Sequence, residues 1–266
     1  MTPQPILIIG AGKMGSALIK GWLKNGLGPI LAVEPNPSPA LRKLKGLKFV
    51  SAVEAVPLRR WRACVVALKP QILKTEALRL KPIAALGVPM ISIAAGTGER
   101  FLAKAWGAKA RIVRAMPNTP GAIGRGITAL HAARGASAKD RKLAETLLAA
   151  LGQTVWVKNE ALIDAATAVS GSGPAYVFAL AEALAKAGEA AGLPRATAER
   201  MARATVAGAG ALLDADTRPA AELRRDVTSP GGTTEAALKI LLADDGLSAL
   251  MTRAVAAAKQ RAEELG

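Results

Sequence analysis

The run ILIIGAGKMGSALIKG, residues 6–21, decides how the first half of this chain is built. Four consecutive apolar residues stop at Gly10, glycine recurs at 12 and 15, and apolar residues then resume at spacings of three and four. A short apolar run bounded by glycine predicts a buried strand, and the spacing after it predicts a helix. Between the two, Gly10, Ala11, Gly12, Lys13, Met14 and Gly15 carry the G-x-G-x-x-G pattern of a dinucleotide loop. Gly10 permits the tight turn, Gly12 lets the backbone approach a pyrophosphate, and Gly15 lets the helix lie close to the strand. The helix N-terminus adds N–H donors and partial positive charge.

Working outward, ILAVE ends at Glu34, about twenty residues beyond the loop, where an acid is placed to bind the adenosine ribose hydroxyls. Its charge opposes a 2′-phosphate and so favours NADH, while Asn36, Arg42 and Lys43 nearby keep NADPH open. Further apolar runs follow in ACVVALKP, PMISIAAG and ARIVRAMP, separated by helical patterns and turns. Strands alternating with helices predict a doubly wound, mostly parallel sheet covered on both faces, assigned to residues 1–160. From residue 161 the pattern changes to long Ala-rich helices with no strand signal, an all-helical domain over 161–266. Helices this apolar need more covering than a lone small domain provides, which predicts a homodimer through the second half.

Composition narrows the function classes. The net charge is +16, with 51% hydrophobic and 3% aromatic residues. Residues 1–130 hold 20 Lys and Arg against four Asp and Glu, whereas the remainder holds 16 of each. The cations are scattered and lack interleaved aromatics, so no stacking platform for nucleic acid is expected, and the field is left to attract an anionic cofactor. No apolar run has the roughly 18 residues of a membrane span, and no cleavable leader is evident, which predicts a cytoplasmic protein. Cys64, in an apolar strand-like run, and the lone His131 offer neither a disulfide nor a metal cluster.

Later motifs extend the reading. With the glycine loop, ALKPQ (67–71), SIAAGT (92–97), RAMPNTP (114–120), VSGSGPAYVF (169–178) and LRRDVTSPGGTTEAAL (223–238) occur in that order. Together they make the sequence resemble the pyrroline-5-carboxylate reductase family over essentially its whole length. The resemblance implies a Rossmann domain followed by an intertwining helical domain, with dimers gathered into rings such as decamers. It implies that Ala67, Leu68, Lys69 and Pro70 line the cofactor edge, that Ala94 and Ala95 approach the nicotinamide, and that Asn118 lies near the same end. Glu160, Ser229, Gly232, Thr233 and Thr234 would border the substrate pocket. Val53 stands where many relatives carry an Asn that touches the adenosine ribose, and Asp226 where some carry Asn.

The implied reaction is hydride transfer to the C=N carbon of 1-pyrroline-5-carboxylate, giving L-proline. In SPGGTT (229–234), Pro230 is expected to end the preceding helix and the glycines to turn freely. The N–H groups of Gly232, Thr233 and Thr234 would then meet the substrate carboxylate, with an ordinary helix cap as the alternative. Thr234 is the expected donor at the imine nitrogen, positioning an iminium or relaying a proton. SGSGPAY lacks the nucleophile-elbow pattern and is read as a helix-opening turn with Pro174 at the first helical position. A β-hydroxyacid dehydrogenase would need a lysine soon after that turn, and none arrives before Lys186. A nucleotide-binding regulator without turnover would have little use for the Ser, Thr and Gly pocket.

Overall fold

The structure, a computed structural model, describes residues 4–265. It divides into two compact units, one running to Gly171 and taking in the stretch from Ala258, the other Ser172–Ala257.

The first unit is built on one eight-stranded sheet: β1 (Ile6–Ile9), β2 (Ile30–Val33), β3 (Leu47–Val50), β4 (Ala63–Val66), β5 (Pro89–Ser92), β6 (Arg111–Met116), β7 (Gly126–Ala132) and β8 (Gly152–Trp156). The spatial order is β3-β2-β1-β4-β5-β6-β7-β8, and only the β6–β7 pair is antiparallel. Its helices are α1 (Lys13–Lys24), α2 (Pro39–Arg42), α3 (Pro70–Glu76), α4 (Lys81–Ala85), α5 (Glu99–Trp106), α6 (Ala138–Leu148) and α7 (Ala161–Ala166). Alternate residues of each central strand serve opposite faces. Ile6 and Ile8 pack with Leu18, Ile19 and Trp22 of α1 and Leu147 of α6. Leu7 and Ile9 belong to the cluster holding Leu73, Ile83 and Leu102 of α3, α4 and α5. Because both faces are covered, these strands read as unbroken apolar runs, each buried Ile or Leu contributing about 1.5–3 kcal/mol.

The doubly wound sheet expected from the sequence is present, and three strands join the five that the apolar runs marked. Leu47–Val50 lies at the sheet edge and is only partly buried. Gly126–Ala132 is interrupted by Gly, Thr and His, and Gly152–Trp156 alternates in exposure rather than being buried throughout. Cys64 is fully buried, and burial pushes its thiol well above the usual range.

The second unit contains α8 (Gly173–Ala190), α9 (Arg195–Ala215), α10 (Ala220–Asp226), α11 (Thr233–Leu241) and the start of α12 (Leu247–Leu265). Among its described residues the buried hydrophobics are Ala185, Ala198 and Ala202, whereas Phe178 and Ile240 are 69% and 76% exposed. A single copy of this unit leaves its apolar faces uncovered. No described helix is long and apolar enough to cross a membrane. The turn expected before Pro174 is instead a π-helical turn, Thr167–Gly171, continuing α7, with Ser170 Oγ donating to the Ala166 carbonyl at 2.8 Å. Pro174 is the second residue of α8, one place past the expected first position.

In the first unit, α6 is started by a capping box in which Ser137 and Asp140 exchange hydrogen bonds. Asp140 is buried and also pairs with Arg111. Burial alone raises its pKa, but the bonds from Arg111 and Ser137 outweigh that and hold the carboxyl below its ordinary 3.8. The stability it supplies is therefore complete above about pH 4 and fades as the pH falls through the lowered value. Asp140→Asn is expected to cost about 2–4 kcal/mol in denaturant unfolding at pH 7, with the gap to the unsubstituted protein narrowing below about pH 4. Thr128 Oγ1 is buried without a hydrogen-bond partner among the described residues. Thr128→Val is expected to raise stability by about 1 kcal/mol in the same measurement.

Candidate active site

Strand order reverses between β1 and β4, so the chain leaves these neighbours in opposite directions and opens a crevice at their carboxyl ends. The glycine loop lies there. Gly10 sits at φ 93°, and a Cβ on it would stand 2.8 Å from the Ala67 carbonyl oxygen. A Cβ on Gly15 would stand 2.3 Å from the Gly10 oxygen, so glycine alone lets α1 lie against the turn. Gly12 is different. Nothing in the chain lies within 4 Å of where its Cβ would be, and it caps α1 without a side-chain hydrogen bond.

The first N–H of α1 bonded to Gly12 is that of Ser16, at 2.8 Å, which leaves the earlier amides of the turn without intrahelical acceptors. No acidic residue occupies that turn. An anion is the natural complement of such a cradle. Glu34, past the end of β2, accepts the Ala11 N–H at 2.9 Å and the Asn36 N–H at 3.1 Å, tying the loop to the β2 exit. Past β4, the Ala67 N–H bonds the Ile9 carbonyl at 2.8 Å, and Leu68 Cδ2 lies 3.1 Å from the Gly10 Cβ position. Lys69 is exposed and caps α3, with Pro70 opening the helix.

Past β5, Ala94 is buried, Ala95 is half-buried, and Thr97 Oγ1 donates to the Ala94 carbonyl at 3.0 Å. Past β6, Asn118 accepts the Ile127 N–H through Oδ1 at 3.0 Å. These residues from five strand ends share one edge of the sheet, and they fit a dinucleotide: an open glycine, unused amides and an acid at the ribose distance along the chain. Glu160 lies in the same unit, where Oε1 accepts from Arg114 Nη1 at 2.7 Å and from the Glu99 N–H. Arg114 escaped the sequence reading. The signal was there, an arginine between buried Val113 and Ala115.

The corner at 229–234 belongs to the second unit. Helix α10 ends at Asp226, before Pro230, and is closed by Thr228, whose hydroxyl donates to the Arg224 carbonyl at 2.6 Å. Pro230 is thus part of the turn and does not end the helix. Gly231 takes φ 69° and donates its N–H to Glu235 Oε2 at 2.6 Å. The Gly232 N–H, expected among the free donors, is spent on the Ser229 carbonyl at 3.0 Å. Gly232 caps α11 with no side-chain bond, so neither Ser229 nor Thr233 serves as the cap. The first-turn amides of Thr233 and Thr234 have no intrahelical acceptor, and their hydroxyls flank them. Asp226 pairs with Arg218 at 3.0 Å.

Residues 160–265 match the family described as pyrroline-5-carboxylate reductase dimerisation, and residues 5–96 the one described as NADP oxidoreductase coenzyme F420-dependent. Over its whole length the chain is 41% identical to the pyrroline-5-carboxylate reductase of Pseudomonas aeruginosa, covering 98% of that protein. The chain belongs to the pyrroline-5-carboxylate reductase family. Its relative from Pisum sativum is 37% identical over 96% of this chain and 94% of its own. Among solved members of the family, the Coxiella burnetii enzyme superimposes with a TM-score of 0.91 at 36% identity, covering 99% of this chain and 98% of its own. The Plasmodium falciparum enzyme, solved with NADP bound, gives 0.83 at 28% identity over 100% and 99%. Membership accounts for the order of the motifs from the glycine loop to SPGGTT.

Two glycine substitutions separate binding from folding. Gly12→Ala is expected to leave unfolding within about 1 kcal/mol of the parent while weakening dinucleotide binding about tenfold or more by calorimetry. Gly15→Ala is expected to cost more than about 2 kcal/mol in stability, because the Gly10 carbonyl blocks the added methyl.

Proposed function

We propose that this chain is an NAD(P)H-dependent pyrroline-5-carboxylate reductase that converts 1-pyrroline-5-carboxylate to L-proline, the last step of proline biosynthesis. One observation carries the reading: the chain joins an open glycine turn at the start of α1 to a second helix start, at Thr233, that no side chain caps, in the order and over the length of the reductases it matches.

The cofactor, when bound, supplies the hydride. The chain's own residues arrange the rest. Gly10–Gly15 and the first turn of α1 take the pyrophosphate, and Glu34 and Asn36 take the adenosine ribose, as Ala67–Pro70, Ala94, Ala95 and Asn118 line the cofactor edge. The amides of Thr233 and Thr234, with the Ser229 hydroxyl and the Gly232 backbone beside them, take the substrate carboxylate. The Thr234 hydroxyl holds the imine nitrogen. Hydride adds to the carbon of the C=N bond, the π electrons become the nitrogen lone pair, and the proton of the iminium stays on nitrogen as the ring amine forms. A threonine hydroxyl is too weak an acid to protonate the imine alone at neutral pH, so its part is to orient the iminium or relay a proton from water.

Both reduced cofactors are assigned, since Glu34 disfavours a 2′-phosphate and Arg42 offsets it; the ratio of kcat/KM for the two reads the balance. The uncovered apolar faces of α8 and α9 are closed by a second copy, giving a cytoplasmic homodimer that serves as the unit of larger rings such as a decamer. Light scattering is expected to give at least twice the chain mass at micromolar concentration, and a stable monomer would overturn the assembly. Loss of reduced-nicotinamide absorbance on adding 1-pyrroline-5-carboxylate tests the activity. Thr234→Ala is expected to lower kcat by about 10–100-fold with stability unchanged, and Thr234→Ser to restore most of it.

A further inference from the structure

Arg114 projects from β6 between buried residues, and its side chain is only 6% exposed. A guanidinium in that setting is costly unless paired. Its partner is Glu160, 46 positions along the chain, and the shared oxygen Oε1 also receives the N–H of Glu99. Glu99 is the first residue of α5, and the residue before it, Gly98, has no side chain with which to cap the helix. Glu160 therefore caps α5 from a distant part of the chain, with Oε1 3.7 Å from the Cβ position of Gly98.

Helix α5 begins where the loop after β5 ends. That loop is pinned at its start by the Ile93 N–H on the Val66 carbonyl at 3.0 Å, and along its length by Gly96 closing on Leu265. Lys74 Nζ holds the Leu265 carbonyl at 2.9 Å. The Glu160 bond is the anchor at the other end. Ionisable groups around it include His131, whose Nε2 lies 3.6 Å from the Glu99 carboxylate, and Asp164, whose pKa burial raises.

We infer that Glu160 is a positioning residue, holding the Ala94–Gly98 loop in place through its joint bond to Arg114 and the α5 N-terminus, and not a contact to the substrate. The inference rests on the reductase reading for its kinetic consequence alone. Once the Glu99 N–H is released, the loop shifts at the sheet edge, and a displacement of about 1 Å there costs up to about 100-fold in rate without changing how the imine is gripped.

Glu160→Ala and Glu160→Gln test this in the full chain, by hydrogen exchange, cofactor titration calorimetry and steady-state kinetics. For Glu160→Ala, exchange across residues 95–103 is expected to quicken about tenfold or more while the amides of β1 and β4 stay protected. kcat is expected to fall about 10–100-fold, with KM for 1-pyrroline-5-carboxylate within about threefold of the parent. Glu160→Gln retains an acceptor for Glu99, and is expected to recover kcat to within about fivefold of the parent and to restore exchange protection. A KM raised tenfold or more at unchanged kcat, in either variant, would overturn the inference in favour of substrate contact. So would unchanged exchange around α5 in Glu160→Ala. If Glu160→Ala does not fold, Glu160→Gln decides alone: kcat within about fivefold of the parent with protection around α5 intact upholds the inference, and kcat lost with that protection intact, or KM raised about tenfold or more, overturns it. Absence of turnover in the unsubstituted protein would sink the reductase reading, and the exchange data would still report the clamp.

Discussion

Strands β1 and β4 run side by side and pass the chain to opposite halves of the sheet, and the rest of the first unit is arranged around that divergence. At their ends the Gly10 turn presses on the Ala67 carbonyl, and α1 presses on the Gly10 carbonyl through Gly15. Backbone meets backbone at each contact, so no side chain can be trimmed to make room. The first turn of α1 is thereby fixed in direction, with its early amides left without intrahelical acceptors. The Glu34 carboxylate braces the same loop from the β2 side, giving one acid a structural task beside the ribose contact proposed for it.

The sequence disclosed this arrangement wherever a residue type had a single physical explanation. Three glycines between an apolar run and a helical pattern admit few other structures, and the doubly covered sheet follows from runs with no polar interruption. Strand β3 was hidden because an edge position tolerates lysine and partial exposure, and β7 because Gly126, Thr128 and His131 break its apolar pattern. The alternation in GQTVW was visible and marks a half-exposed strand, which a search for continuous apolar runs passes over. The candidate site was legible in the same uneven way. Residues on the glycine loop and past β4 and β5 carry their meaning in short motifs. Arg114 and Glu160 do not, because their pairing exists only after distant segments have folded together.

At residues 229–234 the local pattern was read correctly as a turn into a helix, yet the use of its donors was not. Of the three expected donors, Gly232, Thr233 and Thr234, the fold spends that of Gly232 on the Ser229 carbonyl, and the neighbouring Gly231 N–H goes to Glu235. Which backbone groups remain is a matter of hydrogen-bond competition within the turn, and Glu235 competes from one helical turn away. The helices of the second unit show a related limit. Their periodicity announces apolar faces, but Phe178 and Ile240 stay open to solvent in a single chain.

The last turn of α12 bears a practical consequence for anyone engineering this protein. Leu265 presents its carbonyl to Lys74, and its Cβ and carbonyl close on Gly96, so the loop bearing Ala94 and Ala95 leans on the last turn of α12. A substitution that tilts that turn, though it lies about 170 positions away in sequence, is transmitted to the loop through these two contacts.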